Sequence, residues 1–176
     1  MPRFDATNSE CFVYVYREGI LSPVGHDLKL RVGGFIIESD EHRRSFRAEF
    51  RADSFQVVGA IKNGALDATA LSPHDKREIE ENVVRDVLEA RLYPDISFRS
   101  TAVAKTGADY RVTGDLDLHG VKKTLQFTVQ QQSSRALAEL FIHQPDFNIT
   151  PYRAFLGALR VKPGVRIEVS VPLAVN

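Results

Sequence analysis

Between Leu92 and Val129 apolar and polar side chains alternate along three successive runs. Ile96 and Phe98 alternate with Ser97 and Arg99. Val112, Leu116 and Leu118 alternate with Arg111, Asp115 and Asp117. Leu125, Phe127 and Val129 alternate with Gln126 and Thr128. A period of two places every apolar side chain of a strand on one face. The segment therefore predicts three antiparallel strands, with polar turns between them, forming a sheet with one apolar and one wet face.

The same pattern recurs elsewhere. Cys11 to Arg17 predicts a strand with Phe12, Tyr14 and Tyr16 on one face and Val13 and Val15 on the other, a strand suited to cover on both sides. Leu28, Leu30 and Val32 alternate with Lys29 and Arg31, and Phe46, Ala48 and Phe50 with Arg47, Glu49 and Arg51. Val165, Ile167, Val169 and Val171 alternate with Arg166, Glu168 and Ser170 in a final strand, while Ala136 to His143 carries apolar residues on both phases. Gly33-Gly34 and Ser39-Asp40 read as turns. One stretch changes period. Ser72-Pro73-His74-Asp75 combines a Ser N-cap, Pro at the first helical position and an acid beside the positive helix end. Ile79, Val83, Val87 and Leu88 then follow at helical spacing, predicting an amphipathic helix over about 73–90 that ends before Pro94. A second, short helix is expected near 151–159, where Phe155, Leu156 and Leu159 follow Thr150-Pro151. Both helices are candidate lids.

Strands with one apolar face must bury it, either by stacking two sheets or by closing one into a barrel. The pattern alone leaves both open. With 176 residues the chain fits one domain, 1–176. Its 43% apolar and 26% charged residues argue against disorder. Twenty-three basic residues balance twenty-three acidic ones, and a neutral chain is a poor match to nucleic acid, whose phosphates call for basic excess. His42-Arg43-Arg44, beside Asp40 and Glu41, reads as a solvated turn. The single cysteine, Cys11, excludes an intrachain disulfide framework and reads as a buried thiol. The first ten residues lack a basic segment and an apolar run, so no secretory signal is expected and a cytoplasmic location is. No apolar run approaches the ~20 residues of a membrane helix.

Candidate chemistry is sparse. His26-Asp27 suggests a metal or acid–base pair, but neighbouring strand residues point to opposite faces. A hydrogen-bonded His26 holding the first turn is the simpler reading, with a contact to a ligand headgroup between the two. His42 and His74 read as solvated, His143 as structural, and His119 as a turn residue beside Gly120, which supplies a positive φ. Asp115 and Asp117 share the polar face, without the apolar wall that raises one acid of a catalytic pair. No metalloprotease, nucleophile-elbow, phosphate-loop or dinucleotide motif is present. No catalytic residue, metal or cofactor is therefore expected. Phe46, Phe50, Phe98 and Phe127 lie on apolar strand faces. Singly, each reads as core. Together, inside a barrel and beside the small Ala48, Ser100, Ala102 and Gly114, they would line an elongated apolar tunnel.

Tyr93-Pro94, Phe98-Arg99-Ser100-Thr101, Gly114-Asp115-Leu116-Asp117-Leu118-His119-Gly120-Val121 and Asp146-Phe147-Asn148-Ile149 occur in an order and spacing that closely resemble the YceI-like family. The resemblance implies a mainly all-β fold, an eight-stranded antiparallel lipocalin-like β-barrel with an inserted helix. It also implies a polyisoprenoid threaded along the interior. The start Gly25-His26-Asp27-Leu28 and the longer helix depart from the family pattern, and many relatives carry a secretion signal. The expected function is thus non-enzymatic binding or carriage of a long-chain amphiphile such as a polyisoprenoid or isoprenoid quinone. Phe46, Phe50, Phe98, Leu116 and Phe127 would line the interior and His26 would touch the headgroup. At ~0.8 kcal/mol per buried methylene, against ~4–15 kcal/mol for association, micromolar binding, about 8 kcal/mol net, needs roughly 15 to 30 buried carbons. The alternatives are an enzyme acting on such a lipid through His26 and Asp27 at the barrel mouth, and an interaction protein whose barrel is filled by its own side chains. A homodimer is left open.

Overall fold

The computed structural model describes residues 1–18, 26–154 and 159–173. These form thirteen strands: β1 Arg3–Asp5, β2 Glu10–Glu18, β3 Asp27–Val32, β4 Phe35–Ser39, β5 Phe46–Arg51, β6 Phe55–Lys62, β7 Ala65–Asp67, β8 Asp95–Thr106, β9 Asp109–Leu118, β10 Val121–Gln132, β11 Arg135–His143, β12 Arg153–Ala154 and β13 Leu159–Pro172. One helix, α1 Pro73–Asn82, interrupts them between β7 and β8.

All thirteen strands belong to one antiparallel sheet, ordered β1-β4-β5-β8-β9-β10-β11-β13-β2-β3-β6-β7, with β12 beside β13. The sheet curls. β3 runs on through Gly33-Gly34 into β4, and β5 runs on through Ala52 to Ser54 into β6. The two bent pairs stay bonded across the corner, where Gly33 N–H donates to the Ser54 carbonyl and Arg51 N–H to the Gly34 carbonyl, both at 2.9 Å. Following the pairings from β2 to β3, through the bend to β4, then through β5, β8, β9, β10, β11 and β13, leads back to β2. The lipocalin-like all-β class expected from the sequence is thus present. The count of eight strands is not. The bends break two long strands into four, and the short β1, β7 and β12 join the rims, because Gly33-Gly34 is a corner within a strand instead of a turn between strands.

The alternation sets the facing. In β8, β9 and β10 the predicted apolar phase points inward, and the buried Ile96, Phe98, Val112, Leu116 and Leu118 belong to one core cluster. The His119-Gly120 turn between β9 and β10 has positive φ at both residues, 54° and 73°, as a two-residue hairpin turn requires. A register shift between Ser100 and Ala102 reverses the phase in β8. Ala102 consequently lies exposed, contrary to its expected place on the inner face.

The helix begins as its sequence predicts. The Ser72 hydroxyl accepts from Asp75 N–H at 3.1 Å while the Asp75 carboxylate accepts from Ser72 N–H at 2.9 Å. Its end differs from the expected continuous helix to residue 90. After Asn82 the chain makes one π turn over Val83–Val87, with Leu88 N–H bonded to the Val83 carbonyl at 2.8 Å. Glu89, at φ 45°, then ends the helix. The short helix expected near 151–159 is also corrected. Arg153 and Ala154 are extended and pair with Arg160 and Leu159, so backbone bonding to β13 replaces a local helical turn. The remainder of that expectation, Phe155 and Leu156, lies outside the described residues, as do Ser22 to Gly25 before His26.

Candidate functional site

The curled sheet and α1 enclose a cavity of about 720 Å³. Its wall follows from strand phase. β2 contributes Cys11, Val13 and Val15, β13 contributes Val165, Ile167, Val169 and Val171, and β11 contributes Ala136, Ala138, Leu140 and Ile142. Phe46, Phe50, Phe98, Leu116 and Phe127 all face this space. Phe98 of β8 and Phe127 of β10 meet over β9, on the same wall, as a tilted pair with ring centroids 5.5 Å apart, and Phe50 stacks with Phe35 at 5.8 Å. Ala48 lines the space as a small residue should. Gly114 serves another purpose: a Cβ there would strike the Phe98 ring and the Arg99 carbonyl, so the glycine seats Phe98 and leaves no void. The Ser100 hydroxyl accepts from Phe46 N–H at 2.8 Å and ties β8 to β5.

The helix forms one side of the enclosure. Ile79, Val83, Val87 and Leu88 all line the cavity, so the stripe read from the sequence faces the interior, with Leu88 buried and the other three half-buried. Two polar bonds fasten it. The Glu80 carboxylate accepts from Val57 N–H at 2.8 Å, and the Asn82 side-chain amide donates to the Tyr152 hydroxyl at 3.2 Å.

Polar lining side chains gather at one end. Arg17 closes the inward series of β2, His26 precedes β3, and Arg160 follows Leu159 at the start of β13. The antiparallel pairings Arg160↔Glu18 and Val161↔Arg17 bring these strand ends together. Asp75, Glu78 and Asn82 reach the same rim from α1, with Tyr152 beside Asn82. The opposite end, lined by Phe4, Phe46, Cys11, Val129 and Val171, is apolar. Burial there pushes the Cys11 thiol up to about 12.

His26 thus sits at the cavity rim, but Asp27 does not join it. The Asp27 carboxylate accepts from the Arg17 backbone N–H at 2.8 Å, a strap between β2 and β3. The pair expected by the enzymatic alternative does not face a common space. Among the described residues no group of three His, Cys, Asp or Glu side chains is placed to hold a metal ion, and no helix is long and apolar enough to cross a membrane. His119 lies outside the cavity wall. Its buried ring places Nδ1 3.1 Å from the Phe147 carbonyl and Nε2 2.7 Å from the Glu89 carboxylate, and it packs on Tyr93 at 4.2 Å. It joins the β9–β10 hairpin to the end of the helical segment and to the turn at Gln144–Phe147.

Arg17, Asn82, Tyr152 and Arg160 were not singled out from the sequence. Only Arg17 left a signal there, as the cation that continues the phase of Cys11, Val13 and Val15. The facing of β11, open in the sequence, is settled by its pairing with β13, which turns the even-numbered residues inward.

Among solved structures, BcnA of Burkholderia cenocepacia superimposes with a TM-score of 0.67 at 19% identity, covering 97% of this chain and 99% of that one. A polyisoprenoid binding domain from Saccharophagus degradans gives 0.60 at 13% identity, covering 93% and 91%. These share the fold. In sequence, a UPF0312 protein of Pseudomonas putida (strain W619) is 38% identical over 88 residues, 48% of this chain and 44% of the relative. Protein YceI of Escherichia coli O17:K52:H18 (strain UMN026 / ExPEC) is 30% identical over 80 residues, 46% and 42%. The chain therefore matches just under half the length of these curated relatives. The family model described as the YceI-like domain matches residues 7–173. The chain belongs to the YceI-like family.

Proposed function

We propose that the protein binds a long-chain apolar amphiphile, isoprenoid or fatty-acyl in character, inside the barrel and without converting it chemically. The observation that carries this reading is the cavity of about 720 Å³, walled by aliphatic and aromatic side chains with polar groups at one end only. That volume falls within the ~300–1,000 Å³ typical of small-ligand sites. A barrel packed by its own side chains would leave no such space at the density of protein interiors. Phe46, Phe50, Phe98, Leu116 and Phe127 would hold the chain, and His26 would meet the headgroup. The Saccharophagus neighbour, called a polyisoprenoid binding domain, supports the ligand class. Transfer of the chain from water supplies the affinity, and the separation of Asp27 from the cavity removes the pair on which a catalytic reading would rest.

Native mass spectrometry of protein purified under mild conditions, followed by titration with isoprenoid quinones, polyprenyl phosphates and fatty acids, tests the reading. Retained or titrated lipid is expected. Ala48→Phe, placing a ring in the cavity, should abolish binding while thermal unfolding shows that the variant still folds. Ligand-free protein with no measurable affinity for any of these lipids would overturn the reading, as would undiminished binding by folded Ala48→Phe.

A further inference from the structure

We infer that Gln144 and Tyr152 form an uncharged hydrogen-bonding site at the polar end of the cavity, and that the head it takes is a hydroxyl, of an alcohol or a phenol. The inference rests on the lipid-binding reading and adds the chemistry of the head to it. Both side chains line the cavity. Gln144 follows β11, whose last residue, His143, pairs with Gly164 near the start of β13. It is 6% exposed. Its Nε2 donates to the Lys162 carbonyl at 3.1 Å, within the irregular stretch between Val161 and Val165 where the ladder with β2 slips. Tyr152 is anchored one residue away, its carbonyl accepting from Val161 N–H at 3.0 Å. Two neighbouring residues of β13 thus position both groups.

The hydrogen-bonding capacity left over after these bonds defines the head. A carbonyl only accepts, so the Gln144 amide must turn its nitrogen to Lys162, which sends Oε1 along the other branch. Among the described residues nothing donates to that oxygen. Among them, too, no side-chain oxygen or nitrogen that is sealed inside the protein lacks a partner. Oε1 therefore reaches open space, and the space that this buried residue lines is the cavity. The Tyr152 oxygen accepts from the Asn82 amide at 3.2 Å, so its own O–H points elsewhere, and among the described residues no acceptor meets it. The pair offers one acceptor and one donor. A hydroxyl carries the matching set, donating to Gln144 Oε1 and accepting from the Tyr152 O–H. A carbonyl or an ether accepts without donating and would bury Oε1 with no donor. A carboxylate would set a negative oxygen against it.

Chain-matched ligands separate these heads. A long-chain alcohol, its methyl ether, and the aldehyde and carboxylic acid of equal length are titrated into the wild-type protein, Gln144→Met and Tyr152→Phe, with an alkylphenol and its methyl ether alongside. The wild type should bind each hydroxyl about five- to tenfold more tightly than the matching ether or aldehyde, the factor of one hydrogen bond made in place of a buried acceptor left unmet. Gln144→Met keeps the length of the side chain and removes the acceptor, so this gap should close. Tyr152→Phe removes the donor and should weaken alcohol, ether and aldehyde alike, by about three- to tenfold, while the gap remains. A merely structural role for Gln144 would weaken every ligand and leave the gap as it was. The relative gaps for alcohol and phenol decide which hydroxyl fits better. Equal binding of alcohol and ether by the wild type, tighter binding of the aldehyde or the acid, or a gap that survives in Gln144→Met would overturn the inference while leaving lipid binding intact. The wild-type series decides by itself if Gln144→Met does not fold. Failure of every ligand would overturn both readings.

Discussion

The Glu80 carboxylate accepts a hydrogen bond of 2.8 Å from the Val57 backbone N–H, joining the covering helix to strand β6. Val57 stands where β3 and β6 slip register, between the pairings Lys29↔Gly59 and Leu30↔Val57, so that β6 carries an extra residue. A bulge disturbs the ladder locally, and here a helix side chain bonds the backbone beside it. Glu80→Ala would leave a part-buried N–H without this partner, at a cost of about 1–3 kcal/mol. Lower unfolding free energy and faster amide exchange in α1 are expected, with most of the loss recovered by Glu80→Gln, which keeps an acceptor. An unchanged exchange rate in Glu80→Ala would show that the apolar stripe alone holds the helix.

Val83→Asp tests that stripe. Val83 faces the cavity on the π turn, and an unpaired carboxylate there is costly. The substitution should raise amide exchange over 73–88 and speed release of a bound lipid while the β9–β10 hairpin stays protected. Equal loss of protection in both regions would make the helix an integral part of the core and end the lid interpretation.

Gly114→Ala should destabilise the barrel although it adds only a methyl group. The new Cβ meets both the Phe98 ring and the rigid Arg99 carbonyl. Overpacking of this kind costs about 1–3 kcal/mol. Chemical denaturation measures it, and Gly114→Ala combined with Phe98→Leu should recover part of the loss if the ring is the main obstacle.

His119→Ala removes the partner of the Phe147 carbonyl and of Glu89 together. Loss of about 1–3 kcal/mol is expected from the buried acceptor left behind, with lipid affinity per folded molecule unchanged because His119 does not line the cavity. A drop in affinity without loss of stability would instead place His119 in the binding site.

Cys11 gives a pH prediction. Burial raises its thiol from 9.0 to about 12 in the folded protein. Between these values the unfolded chain releases a proton that the folded chain keeps, so the unfolded state binds fewer protons and stability falls as pH rises. The contribution is fully present below about pH 9 and is lost progressively towards pH 12. Cys11→Ala should flatten this part of the stability profile, measured by denaturation at pH 8 to 11. The native thiol should also react with a disulfide reagent only as fast as the barrel opens. Rapid labelling at pH 8 would contradict its burial.

Local pattern determined much of this molecule. The alternation through Ile96-Phe98, Val112-Leu118 and Leu125-Val129 is a two-residue period, which fixes strand and inward face together, and Ser72-Pro73 with Asp75 fixes the helix start through bonds within one turn. For the same reason each of the five predicted lining residues already lay on the apolar face of its own strand before any pairing was known. What only tertiary structure decided is how faces and ends meet. The bends at Gly33-Gly34 and Ala52 to Ser54, which break two of the expected eight strands into four, depend on two strands turning the corner together. The π turn at Val83–Val87 accompanies the packing of Val83, Val87 and Leu88 against the interior. Ala102 faces outward because of a register shift against β9, and the strand at Arg153–Ala154 exists through its bonds to β13. The polar rim follows the same logic: Arg17, Asn82 and the 152–160 stretch that carries Tyr152 and Arg160 are far apart in the chain, and it is the antiparallel ladder and the docking of α1 that bring them to one end of the cavity.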